Sequence, residues 1–453
     1  MNGNPAVRQA PPRTARPRRV RPPLTEARRG LWAAAVTVAL LGGTLFELLS
    51  RHDNLTFSWV WVHDALRAHG LLVGGAFAVA AGCLHGGREG RRGTGELFSS
   101  LPSSTLRRTA LAATPAVLWP VAGYALTAAV AVTITAVHLE PPHGSPFPTL
   151  LVADAVAIGS LGLLGFLAGR LVPRLLAAPV LGGLTVLVLF AFAEQDLFPL
   201  GLRLHDDLSP LGAAATHWFP WDAPAWWFGP ASVLWFGGTG AAALLAYAAR
   251  RRLAVLSLAV ALTGAGVLVG TGDGLWRTDP GATALTCTDS SPQVCMAQAH
   301  SSYLPHVSRA LTGVTARLRA IPNTPDRLVE VPVGAAGRPV PGTHVPRRNE
   351  AALAEPALNF SDDPGYYAQE AAYRTAVHGC AKSPETHGTP VPDKYSGAVS
   401  AWLSASPDGP WGGGPSGKTL RRIEAMSRSE RTAWLGDYFA AVRDCRPDRI
   451  KAP

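Results

Sequence analysis

The sequence predicts an all-α polytopic membrane protein of about six to seven transmembrane helices, followed by a mainly helical, disulfide-containing extracytoplasmic domain. Three observations predict this. Apolar residues gather in runs between residues 31 and 271, each of roughly the length a helix needs to cross about 30 Å of hydrocarbon. Arginine is spread unevenly over the segments that join those runs. Four of the five cysteines lie after residue 272.

In chain order, residues 1–29 form a basic arm expected on the cytoplasmic side. A membrane domain covers 30–271, with spans near 31–50, 70–84, 109–137, 150–169, 175–194, 230–249 and 253–271. The first span ends in LFELLSRHD and lacks the small-x-small site of a cleaved signal peptide. The second, LLVGGAFAVAAGCLHG, is short and Gly-rich. Basic residues beside spans report orientation. An inside N-terminus places Arg8, Arg13, Arg16, Arg18, Arg19, Arg21, Arg28 and Arg29 in the cytoplasm. It also places Arg88, Arg91, Arg92, Arg107, Arg108, Arg170, Arg174, Arg250, Arg251 and Arg252 there. Only Arg51, Arg67 and Arg203 fall to outer loops, eighteen against three. The net charge of +10 is thereby assigned to topology, and no nucleic-acid partner is expected.

Seven spans from an inside start put residues 272–453 outside. An even number of cysteines there suggests two disulfides in an oxidising compartment. Of three possible pairings, Cys287–Cys295 and Cys380–Cys445 are favoured, since the first pair is local and flanks the turn TDSSPQ.

The loop REGRRGTGELFSSLPSS, residues 88–104, has its own logic. Gly93 and Gly95 break the chain after the second span. Leu97, Phe98 and Leu101 then share one face of a short helix that Pro102 ends. Glu89, Arg91, Arg92 and Glu96 supply a polar exterior. With Thr94, the string resembles the cytoplasmic coupling loop of ABC-2-type transporter permeases, E-x-x-x-G-T-x-E-x-L-x-x-x-P, with Phe98 at the Leu position and Leu97 beside it. The resemblance covers about residues 25–250, and the seventh span and the outer domain depart from it. It implies a membrane permease subunit of an exporter that docks a separate ABC ATPase through Glu89, Arg91, Arg92, Gly93, Thr94, Glu96, Leu97, Phe98 and Leu101. It also implies pairing with a second copy or a second permease in the lipid of the cell membrane. ATP would be used by the partner, with no cofactor bound by this chain. The alternative is a membrane-anchored extracytoplasmic binding or sensor protein, or an enzyme.

The outer loop 195–229 carries Trp218, Trp221, Trp226 and Trp227 among prolines, as a cap at headgroup level would. Glu47, Asp154 and Glu194 lie toward the outer ends of their spans, together with Asp196. They suggest an acidic cargo path; the competing reading is hydrated carboxylates at the interface. Residues 412–419, GGGPSGKT, match the phosphate-binding pattern G-x-x-x-x-G-K-[ST]. That pattern works only between a strand and a helix. A helix and turn precede it here, so it reads as a chance match and the chain is expected to have no ATPase of its own. In the tail, helices are expected near 297–321, 364–380, 394–406, 418–426 and 428–445, with one weak strand at 326–334 and a loop at 335–350. No metal-ligand spacing stands out.

Overall fold

The computed structural model describes residues 42–43, 59–92, 104–138, 144–193, 208–212, 217, 219–333, 339–340, 342–354, 363–380, 391–406 and 414–453. The expected first span at 31–50 lies almost wholly outside these.

Five helices are long and apolar enough to cross a membrane. They are α1 (Trp59–Arg91), α2 (Thr105–His138), α3 (Pro148–Leu171), and, after the shorter apolar α4 (Ala177–Ala193), α5 (Phe228–Tyr247) and α6 (Arg251–Thr271). The largest departure from the sequence reading is α1. It begins eleven residues before the expected start at 70, and it carries Arg67 inside the helix rather than in an outer loop. Its stretch Leu66–Val73 is π-helical. Pro148 opens α3 at the first helical positions, where its missing N–H costs nothing.

Small residues set the packing of α1 on α3. A Cβ at Gly165 would strike the carbonyl oxygen of Val79, and one at Gly169 would strike that of Cys83. From the other side, a Cβ at Gly82 or Gly86 would strike the backbone of Gly162 or Phe166. Backbones this close gain dispersion contacts that lipid cannot match, the usual basis of helix pairing in membranes.

The helix ends segregate. The end of α3, the start of α2 and the end of α5 meet around Ala113, Phe166 and Leu244, beside the arginine-bearing turns. At the opposite end, Trp59, Phe147, Leu150, Phe228, Leu268 and Leu275 form one cluster, against which the C-terminal domain begins.

Two short strands tie the two parts together. Strand β1 (Asp222–Pro224), from the loop before α5, pairs antiparallel with β2 (Trp276–Thr278), just after α6. The C-terminal domain then forms a four-stranded sheet of β3 (Leu285–Cys287), β4 (Gln293–Ala297), β5 (Arg327–Glu330) and β6 (Glu350–Leu353), in that order. The first ladder is antiparallel and the other two are parallel. A parallel ladder needs a crossover; α7 (Leu304–Ala310) and α8 (Thr312–Leu318) supply it between β4 and β5. The expected single weak strand is therefore one of four, and the loop expected to run to 350 ends in β6.

Helices α9 (Pro364–Ala376), α10 (Asp393–Ser404), α11 (Gly414–Ala425) and α12 (Arg428–Arg443) follow. Ser427 and Glu430 cap α12 reciprocally. The domain core gathers Val294, Met296, Leu328, Leu353, Tyr367 and Phe439. Disulfides join Cys287 to Cys295 across β3 and β4, and Cys380 to Cys445 beside the end of α12.

Candidate functional site

Three of the long apolar helices converge on Asp154. It lies six residues into α3, about 9 Å from the helix start at 1.5 Å per residue. The residue is 1% exposed. Arg67 of α1 donates to its Oδ1 through Nε at 3.1 Å and Nη2 at 3.0 Å. Tyr124 of α2 donates its hydroxyl to Oδ2 at 3.0 Å. His63 brings Nε2 to 3.1 Å of the same oxygen. The Arg67 guanidinium also lies 5.3 Å over the Phe228 ring of α5.

Local geometry explains the convergence. His63 and Arg67 are four residues apart and share one helical face. Arg67 falls in the π-helical stretch, a distortion that frequently marks functional sites. Burial of a lone charge is prohibitive, whereas one guanidinium against one carboxylate cancels. Ionisable groups at membrane depth are costly and mark function by default. Asp154, read from sequence as part of a cargo path or as hydrated at the interface, is buried here against donors from two other helices. His63, Arg67 and Tyr124 escaped the sequence reading. The available signal was WVWVHDALRAHG, where apolar residues continue the helical pattern through the charges.

A second polar constellation lies between this cluster and the C-terminal domain. Asp64, next to His63 and also buried, accepts from the His217 backbone N–H at 3.1 Å. The His217 ring stacks on Trp276 at 4.1 Å and 3°, and its Nε2 lies 2.8 Å from Asp222. Trp276 in turn meets Phe147 and Phe228 edge-on. From the same loop, Trp221 is buried against Ala282 and Val340 and meets the His300 ring. His300 is paired with Glu330 at 2.6 Å. The Trp-rich loop was expected to face headgroups. Trp221 instead plugs into the C-terminal domain, Arg277 covers the Trp227 ring, and Trp226 stays 77% exposed. Trp218 lies outside the described residues.

At the arginine-bearing end, Glu89 and Arg91 close α1 rather than starting a loop. Glu89 pairs with Arg170 at the end of α3, and Arg170 lies 5.1 Å over the Phe166 ring. Arg91 donates to the Leu84 carbonyl at 2.7 Å, and Arg92 is exposed. Gly93, Thr94, Glu96, Leu97, Phe98 and Leu101 lie outside the described residues, as do Glu47 and Glu194.

The phosphate-loop-like string enters α11, and the nearest described element before it is the helix α10. Ser416 donates its hydroxyl to the Asp393 carbonyl and Thr419 donates to that of Pro415, so both serve helix packing. Among the described residues, no three His, Cys, Asp or Glu side chains gather as a metal site.

No protein-family model, curated protein or solved structure matches this chain.

Proposed function

We propose that the chain is the membrane permease subunit of an ABC-type exporter, driven by a separately encoded ATPase. In this reading the arginine-bearing helix ends face the cytoplasm and the disulfide-bonded C-terminal domain lies outside. One observation carries it. The string that resembles a coupling loop continues directly from α1, and the far end of α1 holds the buried Arg67–Asp154 pair. A push on residues 88–104 is thereby delivered to the helix that bears the buried Arg67–Asp154 pair.

The chain works with a second copy or a second permease, and the partner hydrolyses ATP. The test is purification from the native membrane. Co-purification of an ATPase subunit, lost on replacing residues 93–101 with a Gly/Ser linker, supports the proposal. A chain that purifies alone and keeps its cellular role without the string refutes it. The burial of Trp221 under the C-terminal domain favours a second reading, a membrane-anchored binding or sensor protein. That reading gains if the role survives loss of the string and fails with Trp221→Ala.

A further inference from the structure

Helices α1 and α3 are fastened to each other at three levels. Glu89–Arg170 ties their arginine-bearing ends. Between the ends, Gly82 packs on the Gly162 backbone and Gly165 on that of Val79. Arg67–Asp154 ties the other end. Two helices clasped at both ends and in close backbone contact between them have little freedom to slide or splay. Glu89 and Arg67 are 22 residues apart, roughly 33 Å along the helix axis.

The far end of this pair touches the C-terminal domain through side chains that belong to the pair itself. Asp64 of α1 holds the His217 backbone. Phe147, immediately before α3, packs on Trp276. His217 and Trp276 stack on each other; Trp276 opens β2, and His217 precedes β1, the strand that pairs with it. A displacement of the helix pair must therefore either carry His217 and Trp276 with it or break the Asp64–His217 hydrogen bond and the edge-on contact of Phe147 with Trp276.

We propose that α1 and α3 move as one rigid beam, and that the Asp64–His217–Trp276 joint passes the beam's motion to the C-terminal domain. That domain then responds to events at the arginine-bearing end, and ligands that fix the domain bias that end in return. The inference does not rest on the exporter reading, because the beam and its joint lie within this chain.

Hydrogen exchange on the full chain in lipid nanodiscs tests it. The variants are Glu89→Gln, Asp154→Asn, Trp276→Ala and the two pairings with Trp276→Ala. Loosening either end of the beam should speed exchange of peptides covering 219–225 and 275–284 by about twofold or more, the low end of energetic coupling along such networks. Trp276→Ala should abolish that dependence, leaving those peptides indifferent to residues 89 and 154. Unchanged exchange there in Glu89→Gln, with a change confined to the ends of α1 and α3, overturns the proposal. Should Asp154→Asn fail to fold, Glu89→Gln decides alone, since the Glu89 side chain is 32% exposed and at the helix end. No ATPase enters the measurement, so its outcome is separate from that of the co-purification test.

Discussion

Removing one member of the Arg67–Asp154 pair should cost far more than removing both. In Asp154→Leu, the Arg67 guanidinium, 3% exposed, loses the carboxylate acceptor at 3.0 Å. The guanidinium is then left in the interior without that carboxylate. Breaking a buried pair in this way costs about 3–5 kcal/mol, more than a hundredfold in the folding equilibrium. Arg67→Leu should cost less, because Asp154 keeps the Tyr124 hydroxyl at 3.0 Å. The double replacement by Leu removes both charges and should recover most of the loss. The assay is equilibrium unfolding in detergent micelles of the wild type, both single variants and the double variant, analysed as a mutant cycle. The reasoning fails if Asp154→Leu is as mild as a surface change of about 0.5 kcal/mol, or if the double variant loses the sum of the two single losses.

Gly165→Val should abolish recovery of monodisperse protein, because its Cβ meets the Val79 backbone, whereas Gly266→Val, with nothing within 4 Å, should express normally; size-exclusion profiles compare them. Deleting Cys380–Cys445, which spans 65 residues, should destabilise the C-terminal domain by about 4 kcal/mol, against about 2.5 kcal/mol for the 8-residue separation of Cys287–Cys295. Denaturant unfolding of the corresponding Cys→Ala pairs measures the difference. Burial lowers His378 from 6.5 to about 4, with its Nε2 enclosed and unpaired. The unfolded chain therefore binds a proton that the folded domain refuses, so His378 makes stability fall as pH drops from 6.5 toward 4. His378→Gln should flatten the pH dependence of unfolding in that window by up to one proton.

Much of the membrane part was legible because its signal is local. Runs such as LLVADAVAIGSLGLLGFLAG bury or expose apolar groups whatever their neighbours, and length alone says that they can span. Arg67 shows where this breaks down. A charge among apolar residues reads as the edge of a span, since its partner is 87 residues away on another helix. The C-terminal sheet failed for a related reason. Glu350–Leu353 reads EAAL, a run of good helix formers, and becomes a strand only because β5 lies beside it to pair with. The capping box at Ser427 was readable because both its partners sit within one turn.

The sequence by itself determined that this chain carries several membrane-length apolar helices, that arginine clusters at alternate turns between them, and that its disulfide-forming cysteines lie after the last of them. These follow from composition and short-range pattern, where each residue's preference is independent of the rest. Tertiary structure alone decided that Asp154 is a closed ion partner, that Trp221 belongs to the C-terminal domain, and that two helices are clasped into one unit. Those outcomes depend on which charges and backbones meet across distant segments, and the energy of a buried charge or a close contact exists only once both sides are present.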